Sequence, residues 1–355
     1  MPNADLDFVD VEALTGWLDE HVPSVGNGPL EMSLVSGGTT NLVVRIDRGG
    51  DPAVLRSPPR IASPQGAKTI AREATVLRAL TGTDVPHPAF HGNCDDPAVM
   101  GVPFYVMDMV EGWAATITED NETLYPEGFD HGADQHYLGY AMIDGLAAMA
   151  KVDYLAVGLG DFGKPVGFLD RQVDRWLGQL ASYPKIYPKY QPREIEGLDY
   201  VADWLRGNTP STSTPGLMHG DYALNNVLFA NRPPARLVAI IDWETATIGD
   251  PLLDAAGFLQ SLVSVRTGEA SFNYFDPTNF PTREDGEAYY GELTGLDMSA
   301  MPYYYVLTRF RTACMIEYKV AEAVQGLAPK EKGDRFDAMV RRLILAARDL
   351  VKTLD

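Results

Sequence analysis

Asp221 and Asn226 lie five residues apart in "HGDYALNN", directly ahead of the apolar run Val227-Leu228-Phe229. A turn at "NRPP" and a second apolar run, "LVAII", then deliver Asp242. A carboxylate, an amide and a second carboxylate within about one hairpin suit phosphoryl transfer from a nucleotide. That reaction needs a base or orienter at the acceptor hydroxyl, divalent metal across the phosphates, and positive charge or N–H groups to hold them. Magnesium takes oxygen ligands, and the base must stay off the metal. Asp221 is the candidate base, and Asn226 and Asp242 are the candidate metal ligands. Asn225, one position short, reads as loop-shaping. Either aspartate alone is compatible with a plain turn; the ordered set of three is not the usual content of one.

The Asp-to-Asn spacing is that of the kinase catalytic loop. "HGDYALNNVLF" followed by "IIDWETATIGDPLLDAA" resembles the aminoglycoside phosphotransferase and choline-kinase-like superfamily. The resemblance implies an α+β, bilobal protein-kinase-like fold. Its N-lobe would be small and mainly antiparallel β with one key helix, and its C-lobe larger and mainly helical. It implies that Asp221 is the catalytic aspartate, that Asn226 and Asp242 bind Mg²⁺, that the cofactor is ATP or GTP, and that His219 braces the loop. It extends from about residue 30 to the C-terminal helices.

Further positions follow from the same resemblance. "VSGGTTNLVVRI" sits where the family has its phosphate-covering loop, placing Ser36, Gly37, Gly38, Thr39 and Thr40 at the nucleotide, although the full GxGxxG is missing. "VLRSPP" puts Arg56 where a kinase strand carries lysine; arginine keeps the charge with a different reach and geometry. Glu73, on the following helix, is its natural partner. "YVMDMVEG" resembles the hinge, where the backbone of Asp108 and Val110 would bond adenine with Met107 behind. A narrower resemblance, carried by "VLRSPP" and "GLGDFGKPVGFLDRQVDRW", is to the kinase-like domain preceding the dehydrogenase in some acyl-CoA dehydrogenases. It points to a hydroxylated small molecule, such as a hydroxyacyl thioester. The literal Asp161-Phe162-Gly163 precedes the catalytic loop, so it reads as a plain loop. Glu244 reads equally as a ligand or as a group behind one.

The elements that must position these residues are legible in outline. Val11, Leu14, Trp17 and Leu18 have helical spacing, with Asp10 as a cap. Three short β-branched runs, "LEMSLVSG", "TNLVVRID" and "PAVLRSP", suggest an antiparallel meander. A helix over "QGAKTIAREATVLRAL" and strands at "PHPAFHGNC" and "PFYVMDMVEG" follow. Beyond Gly112 six segments read as helices: 134–152, 169–183, 195–207, 251–265, 301–324 and 334–354. The expected lobes are 1–110, with an extra N-terminal helix, and 111–355. Asp250-Pro251 reads as a helix cap and first position, and Asp254 as a tie to the catalytic loop.

A net charge of −20 argues against nucleic acid as a partner. Two cysteines without metal spacing suggest free thiols in a reducing, cytoplasmic setting. No signal peptide or membrane-spanning run is expected, and oligomeric state is left open. The leading expectation is a small-molecule kinase acting on a hydroxylated metabolite. Alternatives are an aminoglycoside or other antibiotic phosphotransferase and a nucleotide-binding pseudokinase module.

Overall fold

The computed structural model describes residues 6, 9–35, 41–59, 64–117, 123–129, 132–262 and 278–354. Ser36, Gly37, Gly38, Thr39 and Thr40 lie outside them. Helix α1 (Val11–His21) begins at Asp10, whose carboxylate accepts the Glu12 and Ala13 N–H groups at 3.0 Å each. Strands β1 (Glu31–Leu34), β2 (Leu42–Asp47) and β3 (Ala53–Ser57) form the expected meander. Helix α2 (Pro64–Leu80) follows, then β4 (Phe90–Cys94), the short α3 (Pro97–Met100) and β5 (Phe104–Asp108). The sheet order is β1-β2-β3-β5-β4, every pair antiparallel.

The pleat sorts the side chains. Phe104 and Val106 join Leu14 and Leu18 of α1 in one core, while Tyr105 turns to the other core with Ile70 and Leu77 of α2. Arg56 and Tyr105 are register partners on adjacent strands, so both face α2.

The remainder is helical with three two-stranded ribbons: β6 (Thr116–Ile117) with β7 (Thr123–Leu124), β8 (Gly216–Met218) with β11 (Thr247–Gly249), and β9 (Val227–Phe229) with β10 (Leu237–Ile240). The helices are α4 (Ala133–Ala150), α5 (Gln172–Ile186), α6 (Leu198–Gly207), α7 (Pro251–Leu259), α8 (Arg283–Thr294), α9 (Met301–Gln325) and α10 (Lys330–Leu354). Leu138, Met142 and Leu146 of α4 and Tyr304, Leu307 and Phe310 of α9 are buried at the centre of the main core. Six expected helices are present. The expected 251–265 helix gives way to a 3-10 turn at Gln260–Leu262, and its last residues fall outside the described ones. Helix α8 departs from expectation. It buries only Gly286 and Tyr290, so its apolar periodicity is weak. Its signature was the Thr282 cap, whose hydroxyl accepts the Asp285 N–H, with Gly295 beyond its end.

Candidate active site

The loop after β8 is held from three sides. The His219 N–H donates to Asp254 Oδ2 at 2.6 Å, and the Gly220 N–H reaches both Asp254 oxygens at 3.2 Å. Asp254 stands in the first turn of α7, which starts at the Asp250 cap with Pro251 next; Asp250 accepts the Leu252 N–H at 3.0 Å. Burial pushes the Asp254 carboxyl up, opposed by His219, Arg311 and the two N–H donors. His219 is fully buried. Its Nε2 lies 2.9 Å from the Ile241 carbonyl, and its Nδ1 lies 3.3 Å from the Asp221 N. His219 therefore ties the catalytic loop to the strand before Asp242. Gly220 has φ +82°, and a Cβ there would sit 2.7 Å from the Thr245 carbonyl. Arg311 of α9 donates to the Gly220 carbonyl.

Asp221 is exposed. Asn226 is buried; its Nδ2 donates to the Asp221 carbonyl at 2.8 Å and to Asp221 Oδ2 at 3.1 Å. The Ile241 N–H donates to the Asn226 carbonyl at 2.9 Å, so the Asn226 backbone is bonded to the residue before Asp242. Asn225 is exposed and donates only to Asn226 Oδ1, at 2.9 Å. Asp242 has φ 66°, the only left-handed non-glycine residue among those described. Such a conformation costs free energy, and it turns the carboxylate out of the strand direction.

Arg56 meets that carboxylate. Its guanidinium lies 2.7 Å from Asp242 Oδ1 and 3.1 Å from Glu73 Oε2. The Tyr105 hydroxyl donates to the same Glu73 oxygen at 2.7 Å. Glu73 is 1% exposed, and Oε1, its other oxygen, has no hydrogen-bond partner among the described residues. Burial pushes its carboxyl up to about 7, with Arg56 and Tyr105 acting against that rise. Glu244 is also raised, by desolvation first and then by repulsion from Asp242. One oxygen each of Glu73, Asp242 and Glu244 lies within 4.8 Å of the others. Glu73 and Arg56 are thus brought together with Asp242. At the strand end, the Asp108 N–H is taken by the Ala89 carbonyl at 2.9 Å, and the Asp108 side chain by His91 at 2.6 Å. Among the described residues no hydrogen bond reaches the Val110 N–H.

A family model described as the phosphotransferase enzyme family matches residues 31–284, more than half of the chain. The chain belongs to that family. Among solved structures, a Ralstonia eutropha protein named as an aminoglycoside phosphotransferase superposes with a TM-score of 0.78 at 28% identity, covering 96% of this chain and 98% of that one. The aminoglycoside phosphotransferase APH(4)-Ia, in ternary complex with AMP-PNP and hygromycin B, shares the fold: TM-score 0.54, 17% identity, coverage 93% and 98%. The fold of this phosphotransferase is the bilobal, kinase-like one. Among relatives, the probable acyl-CoA dehydrogenase IBR3 of Arabidopsis thaliana is 33% identical over 259 residues, 70% of this chain and 30% of that protein. The chain spans 30–42% of the length of the first curated relatives it matches.

In this family member two cavities meet at Asp221, with Arg311 at their seam. One, of about 440 Å³, is lined by Phe168, Trp176, Arg175, Lys319 and Phe336. The other, of about 180 Å³, is lined by Leu224, Phe258, Thr308, Met315 and Gln260. Thr308 Oγ1 and Gln260 Oε1 are buried there without hydrogen-bond partners among the described residues. The polar residues of the 303–320 segment, Arg311 among them, could be read as a pocket wall, and Arg311 does line both cavities; the sequence offered no signal for Tyr105, whose partner Glu73 lies 32 residues away.

Proposed function

We propose that this family member is an ATP- and Mg²⁺-dependent small-molecule kinase that phosphorylates a hydroxyl. The observation that carries the reading is the division at the loop. The exposed Asp221 carboxylate opens onto cavities, while Asp242 faces Arg56 and Glu73. The residues present fit magnesium: three carboxylates converge, and Glu73 Oε1 is buried without a partner. Asp242 and Asn226 would hold the ion, with Glu244 beside them. When bound, the ion supplies bridging and neutralisation of the phosphate oxygens. Arg56, held by Glu73, binds phosphate; the Ser36–Thr40 backbone covers it; the Asp108 carbonyl and Val110 N–H receive adenine. Asp221 orients the acceptor hydroxyl and takes its proton. The lobes divide near residue 110.

For the acceptor we favour a hydroxylated metabolite of hydroxyacyl-thioester type over an aminoglycoside. The larger cavity has three cationic side chains (Arg175, Arg311, Lys319) against two acidic ones (Asp221, Glu244). Aromatic and aliphatic walls complete it. A polycationic sugar would face like charge there. No described helix is long and apolar enough to cross a membrane, and we place the protein in the cytoplasm.

The test is ADP release from Mg·ATP across pooled hydroxylated metabolites, hydroxyacyl thioesters and aminoglycosides. Turnover with a hydroxylated non-antibiotic pool supports the reading, and turnover with aminoglycosides alone replaces the acceptor. Thermal stabilisation by Mg·ATP without turnover on any pool favours a pseudokinase module.

A further inference from the structure

We propose that Arg72 is a positioning residue that locks helix α2 to the segment carrying Asp242, using the "GDFGKP" loop as its seat. Arg72 directly precedes Glu73 on α2. Its guanidinium donates to the Ala246 carbonyl at 2.9 Å and to the Phe162 carbonyl at 3.4 Å. It also lies 4.1 Å from the centroid of the Phe162 ring. Both bonds come from Nη2, and the planar guanidinium lies over the ring while it donates, with a longer reach and a broader face than an ammonium.

The seat is itself fixed. A Cβ on Gly163 would fall 2.6 Å from both the N and the O of Ile248, so the loop lies flush on β11. Ala246 closes the turn that Asp242 opens, its N–H bonded to the Trp243 carbonyl at 3.0 Å. Arg72 therefore joins three segments far apart in sequence: the helix holding Glu73, the metal-side turn, and the Asp161–Gly163 loop. The Asp-Phe-Gly sequence is not a metal site here; its phenyl ring and backbone support the group that keeps Glu73 and Arg56 opposite Asp242.

This inference rests on the kinase reading above. It predicts that Arg72→Met raises the dissociation constant for Mg·AMP-PNP by about 10-fold or more, the range for supports of a metal ligand. Binding of AMP-PNP in EDTA should change much less, whereas a merely structural role would move both or neither. Phe162→Leu should weaken Mg·AMP-PNP binding in the same way, and the double variant should lose less than the sum. Arg72→Lys should recover part of the affinity, and it stands in if Arg72→Met does not fold. Calorimetry on the full chain reads all of these. Unchanged Mg·AMP-PNP affinity in the folded Arg72 variant, with wild type binding normally, overturns the inference alone. Wild type that binds no Mg·AMP-PNP overturns the kinase reading and this inference with it.

Discussion

The two sides of the catalytic loop are built on opposite plans. On the side we propose for nucleotide, charges are paired within the chain: Arg56 spans Glu73 and Asp242, Tyr105 donates to Glu73, and His219 and Asn226 tie the loop to the strand before Asp242. On the side we propose for the acceptor, Asp221 is exposed, two cavities meet, and the hydroxyl of Thr308 and the amide oxygen of Gln260 have no hydrogen-bond partner among the described residues. Buried polar groups without partners are costly unless a ligand answers them. Under the proposed function, the contrast means that phosphate handling is fixed by the paired side, while acceptor choice is left to the cavity wall.

Four changes probe this contrast. Asp221→Ala should lower turnover by about 10²–10⁴, the range for a general base, with Mg·AMP-PNP affinity within about 2-fold of wild type. A parallel loss of nucleotide affinity, read by calorimetry, would erase the proposed division of labour. Asp254→Ala should act on both sides together. It leaves two buried N–H groups unpaired and removes a counter-charge from Arg311. The expected cost is about 3 kcal/mol in stability, read by urea denaturation, with turnover falling as the loop loosens. Asp242→Ala should weaken Mg²⁺-dependent nucleotide binding by at least about 10-fold; binding that keeps its metal dependence would place the ion elsewhere.

The smallest effect concerns Glu73. Its carboxyl, raised by burial to about 7, holds a proton in the folded state that the unfolded chain releases near 4.5. Between those values the folded state binds more protons, so stability contributed by this group is present at low pH and falls as pH rises through about 7. Glu73→Gln should flatten that decline by about 1–3 kcal/mol. An unchanged stability profile from pH 4 to 8 would show that Arg56 keeps Glu73 ionised throughout.

What could be read in advance follows the same division. Asp221, Asn226 and Asp242 could be singled out because local spacing along one hairpin marks them, and the structure places them at the ends of that hairpin. Asp254 was legible because a capped helix start lies one turn before it. The antiparallel strands were legible from their turns, and helix α8 was not, since it buries almost no apolar face. Arg72 was illegible because its partners are backbone carbonyls 90 and 174 residues away. The 303–320 segment could be read as a pocket wall from polar residues such as Arg311, but Thr308 was illegible because a cavity is made by distant helices and most of α9 reads as core. Ser36 to Thr40, expected over the phosphates, lie outside the described residues.

The central claim is that Asp242 and Asn226 hold metal on one side of the loop while Asp221 stays free for the acceptor. Crystals grown with Mn²⁺ and AMP-PNP test it through the anomalous scattering of the ion. The account predicts a manganese peak at coordination distance from Asp242 and Asn226, with Arg56 on the phosphates and Asp221 off the metal. A peak coordinated by Asp221, or one remote from Asp242, would contradict it.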